Sequence, residues 1–126
     1  MRSILTIFIL LGLLTGCAST MHREQSVDGL TIGLDHSSIV PINTDQELLI
    51  TLHDELGNPV NDAVVALDLV MPEMPMGQNK PLADPLGDGR YKVHALYTMT
   101  GNWTLHVRVM HQGKEYVAIF EQAVVP

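Results

Sequence analysis

The chain has a single cysteine, few aromatic residues and no cluster of basic residues, and each shortage excludes a class of protein. One cysteine, Cys17, makes an intramolecular disulfide impossible. The formal net charge is −7 and aromatic residues make up 5% of the chain, so the cationic and stacking surfaces that bind nucleic acids are both missing. The sequence also has no G-x-S-x-G nucleophile elbow and no phosphate-cradling glycine loop. We therefore expect neither nucleic-acid binding nor enzymatic activity.

A long apolar run is found at the N-terminus alone. Residues 4–14 are apolar apart from Thr6 and Gly12, and they follow the basic residue Arg2. This run is shorter than the roughly 20 residues that a membrane-spanning helix needs. It has the length and the flanking charge of the hydrophobic region of a secretory signal peptide. The alternative interpretation is an uncleaved N-terminal anchor.

The motif Leu14-Thr15-Gly16-Cys17 directly follows the apolar run. It resembles the lipobox of bacterial lipoproteins. The resemblance implies a signal peptide over residues 1–16 and a diacylglyceryl thioether on Cys17, which anchors the protein to a membrane through two or more acyl chains. It also implies a location in the cell envelope, facing the periplasm or the cell exterior. Because Ala18 rather than Asp follows the cysteine, the outer membrane is favoured if the host is Gram-negative.

The rest of the chain divides into a polar segment and one domain. Residues 17–28 are polar and aperiodic, and we expect them to form the lipidated cysteine and a tether. Over residues 29–126 the apolar residues alternate at a period of two, with turn residues between the alternating segments and no helical periodicity. This pattern predicts an all-β antiparallel sandwich of six to seven strands, with a small open barrel as the alternative. The predicted strands are 29–35, 46–54, 63–71, 90–98, 103–110 and 115–125, and residues 72–89 are predicted to be a long loop.

Short motifs follow one another in a characteristic order over residues 59–109. They are P-V-x-x-A-x-V from Pro59, M-P-x-M from Met71, G-x-G-x-Y from Gly87 and M-x-G-x-W-x-L-x-V from Met99. Together they resemble the YtkA-like/FixH-like domains, which are immunoglobulin-like β-sandwiches of exported or membrane-anchored bacterial proteins. Relatives of this kind occur with copper-handling and oxidase-assembly proteins. The resemblance therefore implies an immunoglobulin-like fold and makes copper a candidate ligand.

A group of three methionines is the most distinctive chemical feature of the domain. A thioether is a soft, neutral donor that suits Cu(I) and persists in an oxidising compartment. Relatives often carry M-P-x-M-x-H, and here Met76 stands at the histidine position. The alternative is that these methionines fill the end of a hydrophobic core. The predicted Cu(I) ligands are Met71, Met74 and Met76, with Met99, His94 or His53 as further donors.

The remaining polar residues give weaker signals. We expect His53, His94 and His106 on outward strand faces, and Asp84 and Asp88 in a turn rather than in a calcium site. Two functions remain open at this stage. One is a membrane-anchored domain that handles copper through a methionine-rich loop. The other is a non-metal module that docks an envelope protein partner, since exposed methionines also make adaptable contact surfaces.

Overall fold

Residues 19–71 and 80–126, which the computed structural model describes, form two β-sheets packed face to face. The first sheet has the strand order β1-β2-β4-β7-β6 and the second has the order β3-β9-β8-β5. All neighbouring strands are antiparallel except β3 and β9, which are parallel. The strands are β1 (Thr20–Val27), β2 (Leu30–Ser37), β3 (Ile39–Pro41), β4 (Gln46–His53), β5 (Val64–Val70), β6 (Asp84–Gly87), β7 (Arg90–Ala95), β8 (Gly101–His111) and β9 (Lys114–Val125).

The alternating pattern of the sequence places the core between the sheets. Successive side chains of a strand point to opposite faces, so each apolar phase turns inward. In β4 the inward side chains are Leu48, Ile50 and Leu52, all fully buried. The second sheet contributes inward rows in the same way from β5, β8 and β9. The predicted antiparallel sandwich is confirmed, and the open barrel is not formed by the described strands.

Strand β1 lies in the segment that the sequence pattern predicts to be a tether. It pairs with β2 in a continuous register from Thr20 opposite Ser37 to Val27 opposite Leu30. β1 is an edge strand, and edge strands are commonly polar, so its period is hidden in the sequence. The domain therefore begins near residue 20 rather than at residue 29, and the tether over residues 17–28 is corrected accordingly.

The predicted loop over residues 72–89 also contains structure in its second half. Leu82 forms a bridge with Ala66 at the edge of the second sheet, and β6 then pairs with β7 in the first sheet. Residues 80–87 thus pass from one sheet to the other. Residues 72–79, including Met74 and Met76, lie outside the described residues, as do the signal peptide and Cys17. No helix in the ranges 19–71 and 80–126 is long and apolar enough to cross a membrane.

The sandwich has two ends, which carry different side chains. The proximal end is where β1 begins and the distal end is where β1 turns into β2. The register of the strands assigns the turns and loops of the described ranges to one end or the other. The proximal end contains Thr20, Ser37, Met71, residues 96–100 and Val125. The distal end contains the turn at Asp28-Gly29, the loop 54–63 and the turn at Gln112-Gly113.

Candidate functional site

A buried polar pair joins the two sheets near the proximal end. His36 on β2 is 2% exposed and Gln122 on β9 is 1% exposed, and His36 Nδ1 lies 2.6 Å from Gln122 Oε1. The Gln122 amide nitrogen donates to the carbonyl oxygens of Ser37 and Ala123, both at 3.0 Å, so its oxygen is left as the acceptor. His36 Nδ1 is therefore the donor. The other ring nitrogen, Nε2, is buried and has no partner among the described residues.

Two aromatic rings pack beside this pair. Tyr97 and Trp103 meet edge to face, with 5.5 Å between ring centroids and 69° between ring planes. The indole Nε1 of Trp103 donates to the carbonyl oxygen of Met99 at 2.9 Å, which fixes the backbone of the β7–β8 connection. The Tyr97 hydroxyl is buried without a hydrogen-bond partner in the described part of the chain, and this burial raises the pKa of its phenol above the ordinary value.

Met71 and Met99, two of the predicted ligands, both lie at the proximal end. Met71 is 8% exposed and packs inward, as the core alternative predicts. Its methyl group occupies space left by Gly101, where an added Cβ would come within 2.7 Å of Met71 Cε. Gly101 also has φ +132°, a backbone conformation that disfavours any side chain, in addition to the contact with Met71. Met99 precedes it by two residues and is half-buried.

The structure does not bring the predicted histidine donors to Met71. His94 is exposed on the outer face of the first sheet, and its Nδ1 lies 2.9 Å from the carboxylate of Asp45. His53 also lies on that outer face, at the distal end, opposite Thr31. Met71 faces the core from the second sheet. Within the described residues the thioethers of Met71 and Met99 are therefore the predicted donors that share one end.

A charged cluster that sequence reasoning missed lies on the outer face of β1 and β2. His22 Nε2 lies 2.8 Å from Glu24 Oε1, and His22 Nδ1 hydrogen-bonds the carboxylate of Asp35, directly across the ladder. The carboxylates accept hydrogen bonds from the imidazole, and these bonds, the one to Glu24 first, raise the pKa of His22. The carboxylates occupy opposite ring nitrogens, so the cluster is an ionic clip between strands. No group of three or more His, Cys, Asp or Glu side chains in residues 19–71 and 80–126 is arranged to hold a metal ion.

A concave surface at the distal end is the second candidate site. The cavity has a volume of about 390 Å³ and is walled by Leu30, Val60 and Tyr116 with acidic side chains at its rim. Two of the lining residues also contact Lys114, whose Nζ lies 3.4 Å from the carboxylate of Asp28 and 5.0 Å from the centroid of the Tyr116 ring. The rim carboxylates belong to Asp28, Asp54 and Glu55.

Two local features shape this cavity. Asp54 accepts hydrogen bonds from the backbone N–H groups of Leu56 and Asn58, at 3.0 and 2.9 Å, and so forms the turn of the loop. Gly29 has φ +86° and leaves no room for a Cβ because Glu55 packs against it. The cavity is thus built by backbone turns and presents its carboxylates at the surface. Sequence reasoning missed it because residues from three separate turns meet there.

Two packed sheets of alternating strands, with irregular loops gathered at two ends, define an immunoglobulin-like β-sandwich. The model of the YtkA-like family matches residues 24–108, which is more than half of the chain. The chain therefore belongs to the YtkA-like family, as the order of its short motifs indicates. No curated protein was found to match it.

Solved structures with the same fold come from unrelated settings. The filamin domain of Lin-41 has a TM-score of 0.54 at 12% identity, covering 70% of this chain and 83% of that one. A DUF4785 family protein from Legionella pneumophila has a TM-score of 0.53 at 17% identity, covering 76% of this chain and 28% of that one. The CARDB domain of a Pyrococcus furiosus protein, solved in complex with di-metal ions, has a TM-score of 0.51 at 17% identity, covering 79% and 89%. At these identities the likeness shows the fold.

Proposed function

We propose that this protein is an accessory β-domain of the cell envelope that is anchored to a membrane by lipid on Cys17 and binds Cu(I) at its proximal end. The family and the fold support an accessory domain rather than an enzyme. The lipobox supports the anchor and the location. Copper binding rests on the methionines, through which the domain would buffer or deliver the metal.

The grouping of thioethers at one end of the sandwich carries the copper proposal. Met71 and Met99 lie at the proximal end, and Met71 is the residue from which the segment with Met74 and Met76 starts. At about 3.8 Å per residue, the chain keeps the Cα atoms of Met74 and Met76 within about 11 and 19 Å of Met71. Three or four neutral sulfur donors within this range match the preference of Cu(I). His94 is not counted among these donors, because it lies on the outer face of the first sheet and its Nδ1 is paired with Asp45.

A competition titration tests the copper proposal. Residues 19–126, which retain all of β1, are titrated anaerobically with Cu(I) against a chromophoric chelator. We expect one equivalent to be withheld from the chelator, and this to be lost in the double variant Met74→Leu/Met76→Leu. Met110→Leu is the matched control, since Met110 is an exposed methionine at the distal end. Failure of the wild-type domain to compete with a weak chelator would remove copper from the proposal.

The distal cavity favours a second candidate function, the docking of an envelope protein partner without metal. A volume of about 390 Å³ with carboxylates at the rim and an apolar wall fits a lysine or arginine side chain of a partner. A photo-crosslinking residue at Leu56 tests this function in cells, with the same residue at Thr44 on the proximal end as the control. We expect a discrete crosslinked product from position 56, lost on Glu55→Lys. Products of equal yield from both positions contradict a distal docking site.

A further inference from the structure

We infer that the proximal end of the sandwich is held against the lipid headgroups, and that the distal end with its acidic cavity is displayed away from the membrane. This inference rests on the proposed lipid anchor at Cys17. It goes beyond that proposal because it assigns a fixed direction to the domain. The occupant of the proximal surface is the membrane that carries the anchor.

The link between the proposed anchor and the first strand is short. The carbonyl oxygen of Ser19 accepts a hydrogen bond from the backbone N–H of Ser38 at 3.3 Å, and β1 begins at the next residue. Only Ala18 therefore separates Cys17 from the sheet. Two Cα–Cα steps span at most about 7.6 Å, whereas a free tether over residues 17–28 would reach about 40 Å. Thr20, the first residue of β1, is three such steps from Cys17 and so stays within about 11 Å of the anchored cysteine.

Strand β1 is attached to the rest of the domain along its whole length. All eight residues of β1 pair with β2. On its other side Gln25 closes the seam to β9, because its amide oxygen accepts the N–H of Ile119 at 2.8 Å and its amide nitrogen donates to the carbonyl of the same residue. His22 adds the ionic clip to Asp35. Lengthening the link by peeling β1 away would break all of these contacts.

The surface at the proximal end includes exposed apolar side chains. Ile39, Leu96 and Val125 are large apolar residues exposed at the proximal end, where the inferred direction brings them to the boundary between headgroups and acyl chains. Leu56, Val64 and Met110 are exposed at the distal end, so the direction rests on the short link and the paired β1 rather than on apolar exposure. The chain is acidic overall, so this contact depends on the anchor and on apolar burial rather than on attraction to anionic lipid. At about 3.3 Å per residue, the eight residues of β2 place the distal cavity roughly 26 Å from the proximal surface.

Energy transfer from tryptophan to the membrane tests the direction of the domain. Trp103 is the only tryptophan in the chain, and it lies at the proximal end. The mature lipidated protein is reconstituted in phosphatidylcholine vesicles that carry an energy acceptor on the headgroup. We expect strong quenching of Trp103. In the variant Trp103→Phe/Leu56→Trp the donor lies at the distal end, and we expect the transfer to fall several-fold, because it depends on the inverse sixth power of distance.

Two further measurements keep this test decisive. If Trp103→Phe does not fold, Leu56→Trp is added to the wild-type chain, and the mean transfer per tryptophan should fall by nearly half. Equal or greater transfer from position 56 in either design overturns the inference, since the domain would then lie on its side or point the other way.

The lipid itself is checked separately by mass spectrometry of the Cys17 peptide. An unlipidated chain contradicts the proposed anchor. In that case residues 17–126 are coupled through the Cys17 thiol to a maleimide lipid and the transfer is measured again. The same ratio between the two donor positions then supports the direction set by the fold, and a ratio near one overturns it.

Discussion

The two ends of the sandwich differ in their polar groups: the proximal end buries polar groups that lack part of their hydrogen bonds within the described residues, whereas the distal end places carboxylates around an open cavity. At the proximal end His36, Gln122 and the Tyr97 hydroxyl are all buried in the core. At the distal end Asp28 and Glu55 border an open cavity and remain in contact with water. Water can replace a lost hydrogen bond at the surface but not in the core. The same substitution should therefore have different consequences at the two ends.

Removal of an amide side chain gives the largest expected difference. Gln122→Leu leaves His36 Nδ1 without its partner in the core and removes the part-buried hydrogen bonds to the carbonyl oxygens of Ser37 and Ala123. We expect it to lower the free energy of unfolding by about 3 kcal/mol. Asn61→Leu is the matched change at the distal end, where Asn61 is exposed and its Oδ1 accepts the N–H of Gly89 at 2.6 Å.

The two amide variants are compared by urea unfolding. Asn61 is exposed but Gly89 is buried, so the hydrogen bond between them is only partly accessible to water, and we expect the replacement to cost about 1 kcal/mol, less than that of Gln122. Both variants should keep the slope of the denaturation curve, which shows that the extent of unfolding is unchanged. Similar losses in the two variants would mean that burial does not separate the ends.

Removal of a tyrosine hydroxyl should change the stability of the domain in opposite directions at the two ends. The Tyr91 hydroxyl donates to the carbonyl of Val60 at 2.8 Å and accepts the N–H of Ala63 at 3.2 Å, which holds the distal loop. We expect Tyr91→Phe to destabilise the domain by about 1–2 kcal/mol. The buried Tyr97 hydroxyl has no partner in residues 19–71 and 80–126. We expect Tyr97→Phe to be neutral or to stabilise by up to about 1 kcal/mol.

Thermal unfolding of the two phenylalanine variants measures this contrast. Tyr97→Phe retains the ring that packs against Trp103, so only the hydroxyl is tested. A clear loss of stability in Tyr97→Phe would indicate that its hydroxyl has a partner, and a wild-type transition in Tyr91→Phe would show that the distal loop does not depend on its hydrogen bonds.

The sequence predicts the core strands well because burial imposes a period of two on them. Residues 46–54 and 115–125, for example, are predicted within one residue of β4 and β9. Strand β1 is missed because it is an edge strand whose residues are mostly polar and exposed. Its outer edge is joined to β9 through the side chain of its own residue Gln25. Strand β6 is missed because all four of its residues are exposed, so burial leaves no pattern. The period of two thus reports the inner face of a sheet and not its edges.

The candidate sites are predicted less completely than the fold. The sequence groups Met71, Met74 and Met76 because they are neighbours in the chain and offers Met99 as a further donor, and the register places Met99 at the same end of the sandwich as Met71. It does not group His36 with Gln122, which are 86 residues apart. One signal was present, since His36 continues the inward phase of Ile32 and Leu34. A histidine in an apolar phase indicates a buried polar contact, but the partner is known only once the two sheets are packed.

The smallest expected effect concerns the clip that holds β1, the strand between the proposed anchor and the domain. Hydrogen bonds that His22 donates to Glu24 and Asp35 raise the pKa of its imidazole above its ordinary value of 6.5. The folded state therefore binds the proton more tightly than the unfolded state. The resulting stabilisation is fully present below about pH 6.5 and is lost as the pH rises through the raised pKa. Because half of the His22 side chain is exposed, we expect only about 0.5 kcal/mol after solvent screening.

Urea unfolding of the wild type and His22→Gln, at about pH 5.5 and about pH 8.5, isolates this contribution. We expect the wild type to be the more stable protein at the lower pH and the difference to shrink at the higher pH. Asp35→Asn removes one of the two carboxylates and should reduce the difference while leaving the backbone pairing of β1 in place. A difference that grows with pH would mean that His22 is held as the neutral imidazole. The cluster would then join the strands by ordinary hydrogen bonds, and the proximal attachment of β1 would not weaken as the pH rises.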